Sequence, residues 1–519
     1  MSNYKSTALI SVTDKTGLDA LAAAFVAAGI NIVASSGTQK FLADKGIESE
    51  EIAAYTGSPE ILGGRVKTLH PRIHGGILAD RDNPDHMKTL SESGTLPIDF
   101  VVVNLYPFEE KYRCGELSPE EMIEYIDIGG ITLLRGAAKN YRHVTIITDP
   151  AQYGEVIEAL GKNGGTSREL RTRYAALTFG LTATYDAAIY RFFEAISPPD
   201  GLPARIPIGL HKVTDVRYGE NPHQRAALYR TIEDSPMVGM IQHQGKELSY
   251  NNYQDIFGAF NLARELGREC VAIIKHTNPC GAAWCDNVLE SFRRALACDR
   301  TSAFGGIVAV NGTVGAELAG ELNQMFLECV LARDYDDDAL TVFRKKKNVR
   351  IVTIPDRYWD EDKPGTMAVL TENVALYQDK DFGFPELEEM KQVTSRAPSG
   401  DELKALKMAW KVVKHVKSNA IVIADAGGTV GIGAGQMSRV DSAQIATRKA
   451  FDAGLSLQGS SAASDAFFPF ADGVTELAKN GVTAVIEPGG SVRDQEVIDA
   501  ADESGVAMMF TGRRHFRHV

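Results

Sequence analysis

Cysteine is scarce in this chain: six residues (Cys114, Cys270, Cys280, Cys285, Cys298 and Cys329) are spread over 519 positions. So few staple no small disulfide scaffold, and free thiols fit a reducing compartment. Basic residues are outnumbered, 55 Lys and Arg against 68 Asp and Glu, for a net charge of −13. That balance argues against nucleic acid or a membrane surface as partner, and any small anion must be held by a local basic cluster. Long apolar runs are missing too. The longest uncharged stretch, residues 20–39, contains Gly29, Asn31 and Ser35-Ser36-Gly37-Thr38, so it reads as helix, turn, strand and loop rather than a membrane span. The start, Met1-Ser2-Asn3-Tyr4-Lys5, lacks the basic-then-apolar pattern of a secretory leader, and a cytoplasmic protein is expected.

What is present is an ordinary globular composition, 44% hydrophobic and 24% charged, in a chain long enough for about three structural units at roughly 150 residues each. Glycine is enriched, at 48 residues, which points to tight turns and close backbone approaches to a ligand. Apolar runs at residues 8–12, 30–33, 100–103 and 144–147 alternate with helical patterns such as residues 18–28. Continuous rather than alternating apolar strands joined by helices predict a doubly wound α/β domain with a parallel sheet. Its ligand is then expected at the carboxyl ends of the strands, which carry Ser11 to Gly17, Ser35 to Thr38 and Asn104 to Pro107. Three prolines at 198, 199 and 203 mark a boundary, giving domains 1–199 and 200–519. A further polar break falls at residues 379–400. The fragments 301–306 (TSAFGG) and 464–469 (SDAFFP) look alike and suggest an internal duplication. The runs at 334–338 and 345–347 read as solvated surface.

Several segments carry chemistry. Ser35-Ser36-Gly37-Thr38 reads either as a phosphate cradle at a helix start or as a simple N-cap. Residues 63–76 read as a loop that sets Arg65, Lys67, His70, Arg72 and His74 between two glycine pairs, suited to a small anion or to an exposed basic turn. Asp127 before Gly129-Gly130, and Lys139, add a carboxylate and an ammonium group. Lys275 and His276 follow an apolar run and would emerge at a strand end, where an adjacent pair offers proton transfer and anion stabilisation. Beside His276, Cys280 and Cys285 there is no Cys-x-x-Cys pair and no His-x-Glu partner, so catalytic metal is rejected. Residues 430–439 read as a phosphate-binding glycine loop or as a glycine-rich strand and turn. The tail, Arg513-Arg514-His515-Phe516-Arg517-His518, reads as a loose basic end or as a clasp for a nucleotide.

Taken together, SVTDKTG at 11–17, residues 65–76, NLYPF at 104–108, RYGENPHQ at 217–224, KHTNP at 275–279 and SDAFFPF at 464–470 resemble one family in its order. That family comprises the bifunctional purine-biosynthesis proteins joining aminoimidazole carboxamide ribonucleotide transformylase to inosine monophosphate cyclohydrolase. The resemblance implies a methylglyoxal-synthase-like N-terminal domain with cyclohydrolase activity. It also implies a transformylase region of two cytidine-deaminase-like α/β halves, in a homodimer with transformylase sites at the subunit interface. 10-Formyltetrahydrofolate is the implied cosubstrate, and a structural potassium ion is compatible with the resemblance. For formyl transfer it implies His276 as proton acceptor, Lys275 as charge stabiliser and Asn419 as orienting group. Arg217, Tyr218, Arg514 and Phe516 would hold the ribonucleotide, and Phe470 and Asp472 the folate. For ring closure it implies Lys67 and Tyr106 in oxyanion stabilisation and proton shuttling, supported by Asp127 and Lys139. Ser11, Lys15, Ser36, Gly37, Thr38 and Arg65 would bind the nucleotide. Cys280 stands where some members carry a small apolar residue, which leaves a thiol role open. A nucleotide-sensing module is the competing reading; Lys67, Tyr106, Asp127 and Lys139 together favour catalysis, because a sensor needs anion contacts but no acid/base set.

Overall fold

A computed structural model describes residues 6–360, 363–385 and 389–518. The start, Met1 to Lys5, whose pattern bears on a secretory leader, lies outside the described residues. The chain divides into two compact units, residues 1–211 with 230–233, and residues 212–229 with 234–519.

The first unit is built on five strands, β1 (Thr7–Ser11), β2 (Asn31–Ala34), β3 (Glu50–Glu51), β4 (Phe100–Val103) and β5 (Thr145–Ile147). Their spatial order is β3-β2-β1-β4-β5, with every neighbouring pair parallel. Ala8, Leu9, Ile10 and Val101 have no exposed surface, which is why these strands read as unbroken apolar runs. The chain leaves β1 toward β2 on one side and returns to β4 on the other. β1 is therefore the switch point, where the carboxyl ends of flanking strands part and open a crevice. The two-residue β3, exposed and acidic, carries no apolar signal that a sequence reading could use.

Residues 63–76 are not one loop. A short turn at Leu62–Gly64 leads to a helix at Pro71–Leu78, opened by His70, whose ring nitrogen accepts the Arg72 N–H at 3.2 Å. Gly76 sits in that helix because a Cβ there would stand 2.5 Å from the Leu96 carbonyl oxygen. Packing, not anion binding, accounts for that glycine.

The second unit holds two six-stranded sheets. The first runs Asn278–Trp284, Cys270–Lys275, Ile307–Val314, Cys329–Tyr335, Arg350–Thr353, Ile241–Gln244 across its width. The second runs Thr429–Gly433, Ile421–Ala424, Ser460–Ser464, Val482–Glu487, Ala507–Phe510, Lys391–Gln392. Numbered within each sheet by chain order, both read 3-2-4-5-6-1, and each has the same two parallel pairs in the middle. The duplication is therefore real at the level of topology. The two sequence fragments that suggested it are not equivalent, however: residues 301–306 precede the fourth strand of their sheet, whereas Ser464 ends the fourth strand of the other. The sheets meet along their third strands, where Trp284 N–H donates to the Gly427 carbonyl at 3.0 Å.

Residues 430–433 lie in a buried strand rather than a phosphate loop. A Cβ on Gly431 or Gly433 would stand 2.2 Å from the Ala446 or 1.9 Å from the Ser442 carbonyl oxygen, so these glycines let helix Arg439–Asp452 lie against the strand. Gly281 does the same in the first half, 2.0 Å from the Ala295 carbonyl oxygen. Cys280 belongs to the apolar cluster with Val271, Ile273 and Phe292, and burial pushes its thiol up to about 12. It is neutral core, which closes the question of a reactive thiol.

Candidate functional site

In the first unit the crevice at the end of β1 is a cleft of about 850 Å³. Ser11, Lys15, Gly37, Thr38, Arg65, Lys67, Tyr106 and Asp127 all line it. Helix Ser36–Asp44 begins there, and no side chain caps it: the Ser35 hydroxyl donates to Thr38 Oγ1 at 3.2 Å instead. The open first turn leaves N–H groups and the positive helix end for an anion, which favours the phosphate-cradle reading over the N-cap. Thr38 is buried, and its hydroxyl bridges to the backbone of Val12, so it fixes the helix start against β1. Asn104 ties the ends of β1 and β4, accepting the Thr13 N–H at 2.6 Å and donating to the Asp14 carbonyl at 2.8 Å.

Asp127 occupies the start of helix Gly129–Lys139, where its Oδ1 accepts the Gly130 N–H at 2.7 Å. A Cβ on Gly130 would stand 2.4 Å from Asp127 Oδ2, and one on Gly129 would stand 2.6 Å from Thr68 Oγ1. The glycine pair therefore gives the carboxylate its seat. Tyr185, from helix Arg168–Ile196, locks the same segment by accepting the Asp127 N–H at 2.8 Å and donating to the Tyr125 carbonyl at 2.9 Å. Burial raises the Asp127 pKa, against the Gly130 N–H and the nearby Lys67 ammonium, which pull it down. A half-buried carboxyl so placed beside a lysine suits proton transfer.

Ser36 does not line the cleft; its hydroxyl points to Glu60 at 3.4 Å. Lys139 lies at the far end of the helix that Asp127 opens and is exposed there, about 15 Å along the axis at roughly 1.5 Å per residue. Arg72 also turns away, donating to the carbonyls of Tyr55 and Gly94 at 2.7 Å each. Burial lowers the His74 pKa, against the Thr68 backbone bond that raises it, and so disfavours the charged imidazole. Of the five basic or imidazole side chains in residues 63–76, Arg65 and Lys67 reach the cleft, and Arg65 pairs with Glu124.

In the second unit Lys275 ends its strand and donates to the Phe304 carbonyl, and His276 is exposed in the turn that follows. His276 and Thr277 both have left-handed backbone, φ 50 and 63. Their N–H groups donate to Asp255, at 3.2 and 2.6 Å. Asn278 next accepts the Lys417 N–H at 3.0 Å, and the Ser418 N–H donates to the Arg517 carbonyl at 2.9 Å. The histidine turn, the segment before Asn419 and the C-terminal tail are thus drawn into one network. Asn419 spends its amide on the carbonyls of Gln436 and Met437, at 3.0 and 3.1 Å, and its oxygen accepts from Arg439 at 3.0 Å. At the centre lies Asp465, fully buried, which accepts from Arg439 at 2.7 Å and from Ser418, while its carbonyl takes the His515 N–H at 3.0 Å.

The tail is ordered through His518. Arg513, His515 and Arg517 turn inward and Arg514, Phe516 and His518 outward, in strict alternation. His515 is buried against Trp410, with Nδ1 2.6 Å from Asp381. Arg514 stacks on Phe516 at 4.4 Å. Phe470 is exposed under Arg493, 4.6 Å from the ring, and Asp472 opens helix Asp472–Lys479. Arg217 covers the Tyr218 ring at 4.6 Å and lines a small cleft with Lys246, Phe326 and Arg350. No hydrogen bond among the described residues joins Arg217 or Tyr218 to the tail.

Asp255, Asp465 and Arg439, which hold these segments together, carry no signal of that role in the sequence. Asp465 lies in the SDAFFPF segment at 464–470, but nothing in its sequence neighbours marks it as a buried hub. One group among the described residues, Asp80, Asp82 and His143, brings three ligand atoms within 4.8 Å of one another. It lies outside both sets of site residues, and its imidazole suits a borderline divalent ion better than potassium.

A family model described as AICARFT/IMPCHase bienzyme matches residues 137–449, and one described as MGS-like domain matches residues 17–132. The chain belongs to this bienzyme family. It is an enzyme of purine biosynthesis with a formyltransferase and a cyclohydrolase activity, using a folate-derived formyl donor. It is 49% identical over 525 residues to the bifunctional purine biosynthesis protein PurH of Roseobacter denitrificans, covering 98% of each chain. The PurH of Rhodospirillum rubrum is 49% identical over 520 residues, again 98% of each, and that of Persephonella marina 47% over 516, covering 98% of this chain and 99% of its own. The sensing-module alternative therefore falls, and the methylglyoxal-synthase-like reading of the N-terminal domain stands.

Proposed function

We propose that the cleft of the first unit carries out ring closure and the His276 network of the second carries out formyl transfer from 10-formyltetrahydrofolate. The observation that carries the first assignment is the convergence of Lys67, Tyr106 and the half-buried Asp127 beside an uncapped helix start in one cleft. The helix start and Lys15 receive the ribonucleotide phosphate. Lys67 stabilises the oxyanion as the carboxamide nitrogen attacks the formyl carbon, and Tyr106 and Asp127 move one proton from the attacking nitrogen and one from the formamido nitrogen to the former formyl oxygen, which leaves as water as the ring C=N bond forms. Lys139, at the opposite helix end, contributes through the helix rather than by touching substrate, and Ser36 through its backbone.

In transfer, the substrate amine is weakly nucleophilic and needs its proton removed as it attacks the formyl carbon; His276 takes that proton. Lys275 stabilises developing charge or protonates the departing folate nitrogen. Arg514 and Phe516, stacked and outward-facing, receive the ribonucleotide, and Phe470 and Asp472 the folate. Asn419, whose amide is occupied by backbone carbonyls and Arg439, shapes the site wall. Arg217 and Tyr218, unconnected to the tail by hydrogen bonds, suit a site completed by a second copy, so we read the enzyme as a homodimer. It works in the cytoplasm, and no helix among the described residues is long and apolar enough to cross a membrane. No catalytic metal is needed for either step.

The test follows the intermediate. Lys67→Ala should form the formylated ribonucleotide at the normal rate yet close it about 10²–10³ times more slowly. Normal closure in this variant would remove Lys67 from the mechanism.

A further inference from the structure

Glu487, the last residue of strand Val482–Glu487, belongs to none of the sets above and is fully buried. Its Oε2 accepts the Phe468 N–H at 2.7 Å, while its Oε1 is buried with no hydrogen-bond partner. Its own carbonyl accepts the Thr511 N–H at 2.9 Å. Phe468 stands two positions before Phe470, and Thr511 three before Arg514. One residue thus anchors the roots of the segments assigned to folate and to ribonucleotide. We propose that Glu487 is a positioning residue for formyl transfer, holding the 468–472 loop in its folate-receptive shape as a neutral carboxyl group. This rests on the assignment of Phe470 and Asp472 to folate.

A buried carboxylate with one N–H partner loses the hydration of two oxygens and regains one bond, so the charged form is penalised. The charged groups facing it do little to help. Asp494, held by the N–H groups of Gly490 and Ser491 at 2.7 and 2.9 Å, repels an anion. Arg439 attracts one, but its guanidinium is already engaged by Asp465 and Ser464, at 2.7 Å each. Burial raises the Glu487 pKa, the Phe468 N–H and Arg439 pull against it, Asp494 adds to it, and the result is a group pushed up to about 8. At neutral pH the uncharged acid fits the site; in alkali the charged Oε1, buried without a partner, must draw in water, and making room for it shifts the 468–472 loop even though the Phe468 N–H holds the anion more strongly than the acid.

The experiment measures KM for both substrates of the transfer step at pH 7 and pH 9 in the wild type, Glu487→Gln and Phe470→Ala. In the wild type, KM for the formyl donor should rise about tenfold, since each pH unit above a pKa multiplies the ionised-to-neutral ratio by about ten. Glu487→Gln, an uncharged group of the same shape, should keep the neutral-pH KM at both. A flat wild-type profile, or the same rise in Glu487→Gln, overturns the proposal. If Phe470→Ala leaves KM for the formyl donor unchanged, the folate assignment itself is wrong. If it raises that KM while Glu487→Gln follows the wild type, the Glu487 inference alone fails. A measurement on the wild type alone guards against a variant that does not fold. Amide exchange at Phe470, Ala471 and Asp472, corrected for its intrinsic pH dependence, should quicken from pH 7 to pH 9, and unchanged protection contradicts the proposal.

Discussion

Asp255 holds Thr277 by a 2.6 Å bond from the Thr277 N–H to Oδ1, and its second oxygen takes the His276 N–H at 3.2 Å. Two consecutive side-chain-bearing residues in left-handed backbone are costly, and this two-point grip compensates the strain while fixing where the imidazole stands. Asp255→Ala should therefore lower kcat of formyl transfer by about 10²-fold, the cost of displacing a reacting group by about an ångström, with KM for the ribonucleotide little changed. Asp255→Asn, which keeps one acceptor, should recover part of the loss. Equal changes in kcat and KM in both variants would mean that Asp255 only supports the fold.

Gly130→Ala should impair ring closure without touching formyl transfer, because its Cβ would stand 2.4 Å from Asp127 Oδ2 and displace the carboxylate. Wild-type closure kinetics in Gly130→Ala would show that the seat of Asp127 is not critical.

The alternation of the tail separates two kinds of defect. Phe516→Ala, on the outward face, should raise KM for the ribonucleotide and leave thermal stability unchanged. His515→Ala, on the buried face against Trp410, should lower the melting temperature. The reverse pattern by calorimetry and steady-state kinetics would show that the tail is seated the other way.

Much of the first unit was legible because its strands are buried on both faces, so residues 8–12 and 100–103 announce themselves by continuous apolar character. The cleft followed from that sheet, since the ends of parallel strands are fixed once their order is known. The helix at Pro71–Leu78 was hidden because Gly75 and Gly76 lower helix propensity, and Gly76 is there for close packing against Leu96 and Ile98. Asp255, Asp465 and Glu487 were illegible for a different reason. Each is a single acid whose role depends on backbone N–H groups or arginines brought from distant segments, and no local pattern encodes that. The duplication was inferred from fragments that topology does not match; the signal that does repeat is small, a glycine in each third strand under its helix.

Inside the second unit, Glu265 accepts from Lys414 at 2.5 Å and contacts His415 Nε2 at 2.8 Å, with all three side chains nearly buried. Burial alone would raise Glu265, but His415 and Lys414 together bring it down to about 2. A carboxyl lowered on folding contributes stability that is present above its ordinary value near 4.5 and is lost as pH falls toward 2. Glu265→Ala should cost about 3–5 kcal/mol at pH 7, since it leaves a buried lysine unpaired, and the deficit should shrink in acid. A deficit constant from pH 7 to pH 3 in denaturant titrations would contradict this account.

If two separate constellations carry the two activities, variants of the one should complement variants of the other. Lys67→Ala and His276→Ala should each fail to make inosine monophosphate from the unformylated ribonucleotide and formyl donor at the wild-type rate, the second because losing a proton-transfer group costs about 10²–10⁴ in rate. Mixed together they should restore it, with intermediate released by the first closed by the second. Loss of both half-reactions in either variant, in an otherwise folded chain, would contradict the separation.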